Sequence, residues 1–121
     1  MSSQYEVIAL PQFWVPALET SQVSVDIPGH SEIIAFECGY QDSSPYFGLL
    51  EVHLGERCLL PRTVTKYGID MKLLFNFLTR GRCLITGNRS ELLRLFVFNR
   101  YPALTGLEAV FLVEMRKPTQ S

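Results

Sequence analysis

Turn residues divide the most apolar part of this chain, residues 71–98, into short segments. Arg80-Gly81 separates the first apolar run from the second, and Gly87-Asn88-Arg89 separates the second from the third. Apolar runs that are this short and end in turn chemistry are typical of β-strands rather than of helices. The pattern therefore predicts a three-stranded β-meander, which limits the chain to folds with an antiparallel sheet.

Segments of the same kind recur before and after this region. Residues 22–27 alternate strictly between apolar and polar side chains, which predicts a strand with one buried face. Further apolar runs lie at 4–10, 32–39, 46–54 and 107–115. Together they predict an all-β fold of about eight short strands, as in a sandwich, jelly roll or β-barrel.

The end of the first strand and the type of two later segments are less clearly indicated by the sequence. Proline cannot donate to a strand ladder, so we expect the first strand to stop at Pro11 and Phe13-Trp14-Val15 to form an edge strand or extended arm. Residues 69–77 and 90–99 also admit a short helix, the second with Ser90 as N-cap. The alternation across residues 93–98 favours a strand for the second segment.

Length, charge and cysteines limit the class of protein. The 121 residues are 47% hydrophobic, which predicts one domain over residues 1–115 and a fraying tail at 116–121. A formal charge of -1 gives no positive field for a nucleic acid. No apolar run is long enough to span a membrane, and no signal peptide is evident at the N-terminus. Single cysteines at positions 38, 58 and 83 are predicted to be reduced core thiols.

The order of motifs over residues 23–98 resembles the trimeric dUTPase superfamily. The resemblance rests on these segments: Val23-Ser-Val-Asp-Ile-Pro-Gly29, Ile33-Ile-Ala-Phe36, Pro45-Tyr-Phe-Gly-Leu-Leu50, Lys72-Leu-Leu-Phe-Asn76 and Gly87-Asn-Arg89. It implies a dUTPase-like jelly-roll or β-barrel domain that assembles as a homo-oligomer, a trimer in that superfamily.

The chain departs from the catalytic pattern of that superfamily. Where active members have an Arg-Ser-Gly phosphate element after the aromatic turn, this chain has Leu49-Leu50-Glu51. Only Asp70 lies near the segment that would contain the catalytic aspartate, and Leu104-Thr-Gly-Leu107 does not match the glycine-rich closing loop. Phosphate chemistry needs metal-holding carboxylates and cationic donors around the charge. We therefore expect no catalytic residues, no cofactor and no metal.

A dUTPase-like chain without catalytic residues resembles the adenovirus early region 4 open reading frame 1 proteins. That resemblance implies a non-enzymatic viral early protein, located in the host cytoplasm or nucleus, that acts as an adaptor for host signalling or regulatory proteins. Some proteins of that family bind PDZ domains through their C-terminal residues. In this chain the terminal Ser121 lacks the hydrophobic side chain that PDZ recognition uses. A divergent nucleotide pyrophosphatase and a structural virion β-protein remain as alternatives.

Aromatic residues beside turns are the candidate partner-binding residues. Trp, Tyr and Arg dominate protein interfaces, so we predict partner binding through Phe13, Trp14, Tyr46, Phe47 and Arg89. Packing in the core or between subunits is the alternative role for the aromatics. In an oligomer, the N-terminal arm or the strand at 107–115 is the expected exchange element, because edge strands need cover. His30 and His53 share no spacing that makes a metal or nucleophile site.

Overall fold

The computed structural model describes residues 4–38, 47–62, 67–73 and 83–116. Within them it has nine strands and one 3-10 turn at Met71–Leu73, and the expected all-β fold is confirmed. The strands are β1 (Gln4–Val15), β2 (Thr20–Ile27), β3 (Ser31–Cys38), β4 (Phe47–Leu54), β5 (Arg57–Leu60), β6 (Ile69–Asp70), β7 (Leu84–Ile85), β8 (Glu91–Asn99) and β9 (Thr105–Met115).

The strands form two antiparallel sheets. Sheet I has the order β1-β9-β3-β7, and sheet II has the order β2-β8-β4-β5, with β6 also pairing with β4. The first and last strands are neighbours in sheet I, where Gln4 lies opposite Met115 and Val15 lies opposite Thr105. The two ends of the described chain therefore close one sheet together.

The core lies between the inward faces of the two sheets. On β9 every second residue from Leu107 to Val113 is buried, and on β8 the same period buries every second residue from Leu93 to Val97. The rings of Phe36 and Phe111 are 5.3 Å apart inside sheet I. Full burial of an aliphatic or aromatic side chain of this size is worth about 1.5–3 kcal/mol, so these alternating residues are the main stabilising element.

The described parts of the two segments that could have been helical, residues 69–77 and 90–99, contain no α-helix. Residues 90–99 do not form a helix, because β8 pairs with β2 on one side and with β4 on the other. The segment that starts at Ile69 forms a two-residue strand and the 3-10 turn. Residues 74–82 lie outside the described residues. The predicted meander is nevertheless wrong, because β7 pairs with β3 in sheet I whereas β8 pairs with β2 and β4 in sheet II.

Strand β1 corrects the prediction of a stop at Pro11. It is continuous from Gln4 to Val15, with a register shift against β9 between Leu10 and Phe13. Pro11 falls in this irregularity of an edge strand, where its missing N–H interrupts no ladder bond. Strand β9 is not an edge, since β1 and β3 of the same chain pair with both its sides, so the expected exchange element at 107–115 is already covered.

Hydrogen bonds outside the strand ladders hold the chain at both ends of the strands. Buried Asn99 donates from Nδ2 to the carbonyl oxygens of Val15 (3.0 Å) and Ala103 (2.9 Å), and its Oδ1 accepts from the N–H of Tyr101 (2.9 Å). At the opposite end, the backbone N–H of Arg116 donates to the carbonyl oxygen of His30. The residue that was expected to begin the fraying tail is thus part of the folded domain.

Candidate protein-binding face

The structure separates the aromatic residues that the sequence grouped together. Trp14 is 58% exposed, as predicted for a binding residue. Phe47 is fully buried, so its prediction as an exposed partner-binding residue was wrong. It is the first residue of β4, an inner strand of sheet II, and its ring points into the core. Tyr46 lies outside the described residues, and for Phe13 only the backbone is described.

Arg89 is exposed in the turn that links β7 to β8. This turn is held by His30, whose backbone N–H donates to the carbonyl of Gly87 (3.0 Å) and whose Nε2 donates to Asn88 Oδ1 (2.7 Å). Gly29 permits the close approach, because a Cβ there would lie 2.4 Å from the Asn88 carbonyl oxygen.

Glu91, two residues after Arg89, lies 3.7 Å from the guanidinium of Arg57. Arg89 is far from Trp14, because Trp14 lies opposite Gly106 near the start of β9 whereas the Arg89 turn lies near its end. At about 3.3 Å per residue the two are about 30 Å apart, so they belong to different surfaces.

The outward face of sheet I is apolar, and we call it the sheet I face. It is formed by alternate residues of β1, β9 and the end of β3 that point away from the core. Val7 is 67% exposed and Tyr5 is 56% exposed on β1, and Val110 is 36% exposed on β9. The apolar members of the face are Tyr5, Val7, Ala9, Trp14, Ala35, Val110 and Leu112.

A shallow depression lies in the middle of the sheet I face. Its volume is about 410 Å³, and its walls are mostly aliphatic side chains of three neighbouring strands. It is lined by Val7, Ala35, Phe36, Glu37, Val110, Phe111 and Leu112. Its volume falls in the range of ligand pockets, of about 300–1,000 Å³, but its open shape suits side chains of a partner better than an enclosed small molecule.

The charged residues of the three strands that form the sheet I face are all acidic. Strands β1, β3 and β9 contain no Lys or Arg. The guanidinium of Arg116, just after β9, pairs with Glu32 (2.5 Å) and Glu114 (3.0 Å). Among the residues that the structure describes, Glu37 and Glu108 have no cationic partner on the sheet I face.

The outward face of sheet II differs in both polarity and charge. Glu51 accepts hydrogen bonds from His53 Nε2 (2.5 Å) and from Arg62 Nε (2.8 Å), and the Arg62 guanidinium lies over the Phe96 ring, 5.4 Å from its centroid. The His53 hydrogen bond and the Arg62 charge hold the pKa of Glu51 below its usual range, although partial burial opposes the shift. The polar groups of Glu51, His53 and Arg62 are thus paired with one another, as on an ordinary solvated face.

The sequence contains a signal for the sheet I face that the strand predictions did not use. Residues 7–10 and 109–113 are unbroken apolar runs, whereas residues 22–27 alternate. A strand that is apolar on both sides is usually covered on both sides. In this structure only one side of β1 and β9 is covered by the described residues.

The candidate chemical residues are dispersed. Asp70 is exposed at the end of β6, opposite Gly48. No group of three or more His, Cys, Asp or Glu side chains in the described ranges is placed to hold a metal ion. Of the cysteines predicted to lie in the core, Cys83 is buried but Cys58 is exposed on β5, and the side chain of Cys38 is not described.

Comparison with other proteins adds no family. No protein-family model, curated protein or solved structure matches the chain. The resemblance to dUTPases therefore depends on the sequence motifs alone. No helix in the described part of the chain has the length and apolar character needed to cross a membrane.

Proposed function

We propose that this chain is a non-catalytic protein-binding domain that uses the sheet I face to hold a partner. The observation that supports the proposal most directly is the contrast between the two outer faces of the sandwich. An antiparallel sheet that faces water normally alternates apolar and polar residues. The sheet I face is instead apolar over three adjacent strands, as at sites of protein association.

The energetics favour a protein partner. Covering apolar surface is worth about 25 cal/mol per Å², from which the cost of association is subtracted. Tyr5 and Trp14, at the two ends of β1, are residue types that dominate interface energies, and both are more than half exposed. The central depression lies between them and offers a place for partner side chains.

The biological role that we propose is that of a viral early adaptor on a degenerate dUTPase-like fold, engaging host signalling or regulatory proteins in the cytoplasm or nucleus. This role is supported by the motif resemblance and by the absence of the Arg-Ser-Gly phosphate element from residues 49–51. Self-association as a trimer is part of the same proposal. The free edge of β1 is the described edge best suited to it.

The experiment compares two aliphatic sites of similar exposure on opposite faces. Val110→Ser changes the sheet I face, and Leu92→Ser, at a residue that is 40% exposed on sheet II, is the matched control. Each purified protein is used to capture partners from host-cell lysate, with quantification against wild type. We expect Val110→Ser to lose partners that Leu92→Ser retains, and identical capture by all three proteins would refute the proposal.

A second assay separates the binding role from an enzyme. Wild type and Asp70→Ala are tested for hydrolysis of dUTP with magnesium and for partner capture. We expect no turnover by either protein and the same partners for both. Turnover that Asp70→Ala abolishes would favour the divergent pyrophosphatase instead.

A further inference from the structure

The charge of the sheet I face limits what can bind there. The two carboxylates of the face that have no cationic partner among the described residues are both close to the depression: Glu37 lines it directly, and Glu108 lies two residues before Val110 on the same side of β9. Trp14 lies opposite Gly106, which makes Glu108 its diagonal neighbour across the strands. The apolar depression therefore has an aromatic ring and two carboxylates along one end.

This combination fits a cation. A Lys or Arg side chain gains from a carboxylate and from the face of a Trp ring at the same time, and the ring contact alone is worth about 0.5–1 kcal/mol at an exposed site. The net charge of -1 does not reveal that the sheet I face is acidic. The arginines of the described strands, Arg57 and Arg94, both lie in sheet II, where they do not offset the carboxylates of sheet I.

A second copy of the chain is a poorer occupant of the face. In a two-fold dimer the same patch is present on both sides, so Glu37 and Glu108 of one copy would enter an interface that already contains those of the other. Among the described residues, the sheet I face offers no cation against them apart from Arg116, which is already paired twice. Like charges brought together in this way oppose association.

We propose that the sheet I face binds an extended cationic segment of another protein, whose apolar side chains fill the depression and whose Lys or Arg side chains pair with Glu37, Glu108 and the Trp14 ring. The inference rests on the proposed function and specifies the chemistry of its partner. Alternation of apolar and basic residues is the pattern that places both kinds of side chain against one face.

Trp14 provides the assay, because it is the one tryptophan of the chain and lies in the proposed site. Its emission is followed while three synthetic peptides are added, each of about nine residues so that it spans about 30 Å when extended. One alternates leucine with lysine, one alternates leucine with glutamate, and one alternates serine with lysine.

We expect saturable binding of the leucine–lysine peptide and at least tenfold weaker binding of the other two. Salt at about 1 M, where the Debye length is about 3 Å, is expected to weaken the binding. The double variant Glu37→Lys, Glu108→Lys should prefer the leucine–glutamate peptide, and Val110→Ser should lose at least tenfold in affinity. Leu92→Ser should bind like wild type.

Other outcomes overturn the inference in distinguishable ways. Equal binding of the lysine and glutamate peptides, or binding of neither, removes the charge argument. If Val110→Ser still loses partners from the lysate in either case, the proposed protein-binding function holds although the cationic partner is refuted. If sedimentation shows an oligomer that Val110→Ser dissociates, a second copy occupies the face, and the cationic partner is refuted.

Discussion

Replacing Asn99 with alanine is expected to be the most destabilising change at a polar residue of this domain. Asn99 is fully buried, and its amide joins the end of β1 to the loop after β8 through the bonds to Val15, Ala103 and Tyr101. Nδ2 also lies 3.3 Å from the carbonyl oxygen of Pro16. No other side chain in the described ranges is shown to make as many bonds to the backbone.

The magnitude follows from what alanine leaves behind. Each of the three short hydrogen bonds contributes about 1 kcal/mol net, and a buried group left without a partner costs about 1–3 kcal/mol. Ala103 is exposed, so water can replace its lost bond, but Val15 is fully buried and its carbonyl cannot be solvated in the same way. We therefore expect a loss of about 3–4 kcal/mol, a large part of the about 5–15 kcal/mol of a small domain.

Urea unfolding followed by far-ultraviolet circular dichroism measures this loss. Asn88→Ala is the matched control, because Asn88 is an exposed amide whose side chain bonds to His30, and the variant is expected to lose less than about 1 kcal/mol. An Asn99→Ala variant within 1 kcal/mol of wild type would refute the bonding described for this amide.

Asn99→Asp tests the direction of the bonds. A carboxylate has no donor for the carbonyl oxygens of Val15 and Ala103, whereas the protonated acid has one. Burial and these oxygens would raise the folded-state pKa of the new acid, so the variant is expected to gain stability relative to wild type as the pH falls through that pKa. Equal destabilisation from pH 8 to pH 5 would contradict this assignment of the amide.

Three further predictions concern the turn, the ion cluster and the aromatic residues. Gly29→Ala is expected to destabilise by about 1–3 kcal/mol in urea unfolding, because the new Cβ overlaps the backbone of the facing turn. Glu51→Gln is expected to lose about 1 kcal/mol at neutral pH and less in acid. The lowered folded-state pKa of Glu51 gives stability at pH values above its unfolded-state pKa, and this stability disappears as the pH falls through the folded-state pKa. A stability difference that is constant with pH would contradict this. Phe47→Ala is expected to lose about 3–5 kcal/mol, and Trp14→Ala less than about 1 kcal/mol while it weakens partner capture, so similar stability losses for the two would refute their different burial.

The structure also limits how the predicted partner-binding residues can act together. Trp14 belongs to the sheet I face, whereas Arg89 lies in a turn near the other end of β9. An interface of standard size covers about 800 Å² on each partner, which does not require both. Substitution of Arg89 is therefore a test of a separate surface.

The sequence by itself determined the class of fold and most of the strand positions. Strict alternation at 22–27 predicted β2, because a strand with one covered face needs apolar residues at every second position. The strand-favouring residues at 93–98 predicted β8. Turn chemistry at Gly87-Asn88-Arg89 was sufficient to place the break between β7 and β8. These are local properties, and neighbours along the chain specify them.

Only the tertiary structure decided which apolar residues face the core and which face water. Phe47 and Trp14 are both aromatic residues beside turns, yet the first is buried by an inner strand of sheet II and the second is exposed on the edge strand of sheet I. Strand order also brought Glu37 and Glu108, which are distant in sequence, to one apolar face. Burial and the local charge depend on the neighbouring strands of the sheet. Which strands pair cannot be predicted from the hydrophobic periodicity of any single segment.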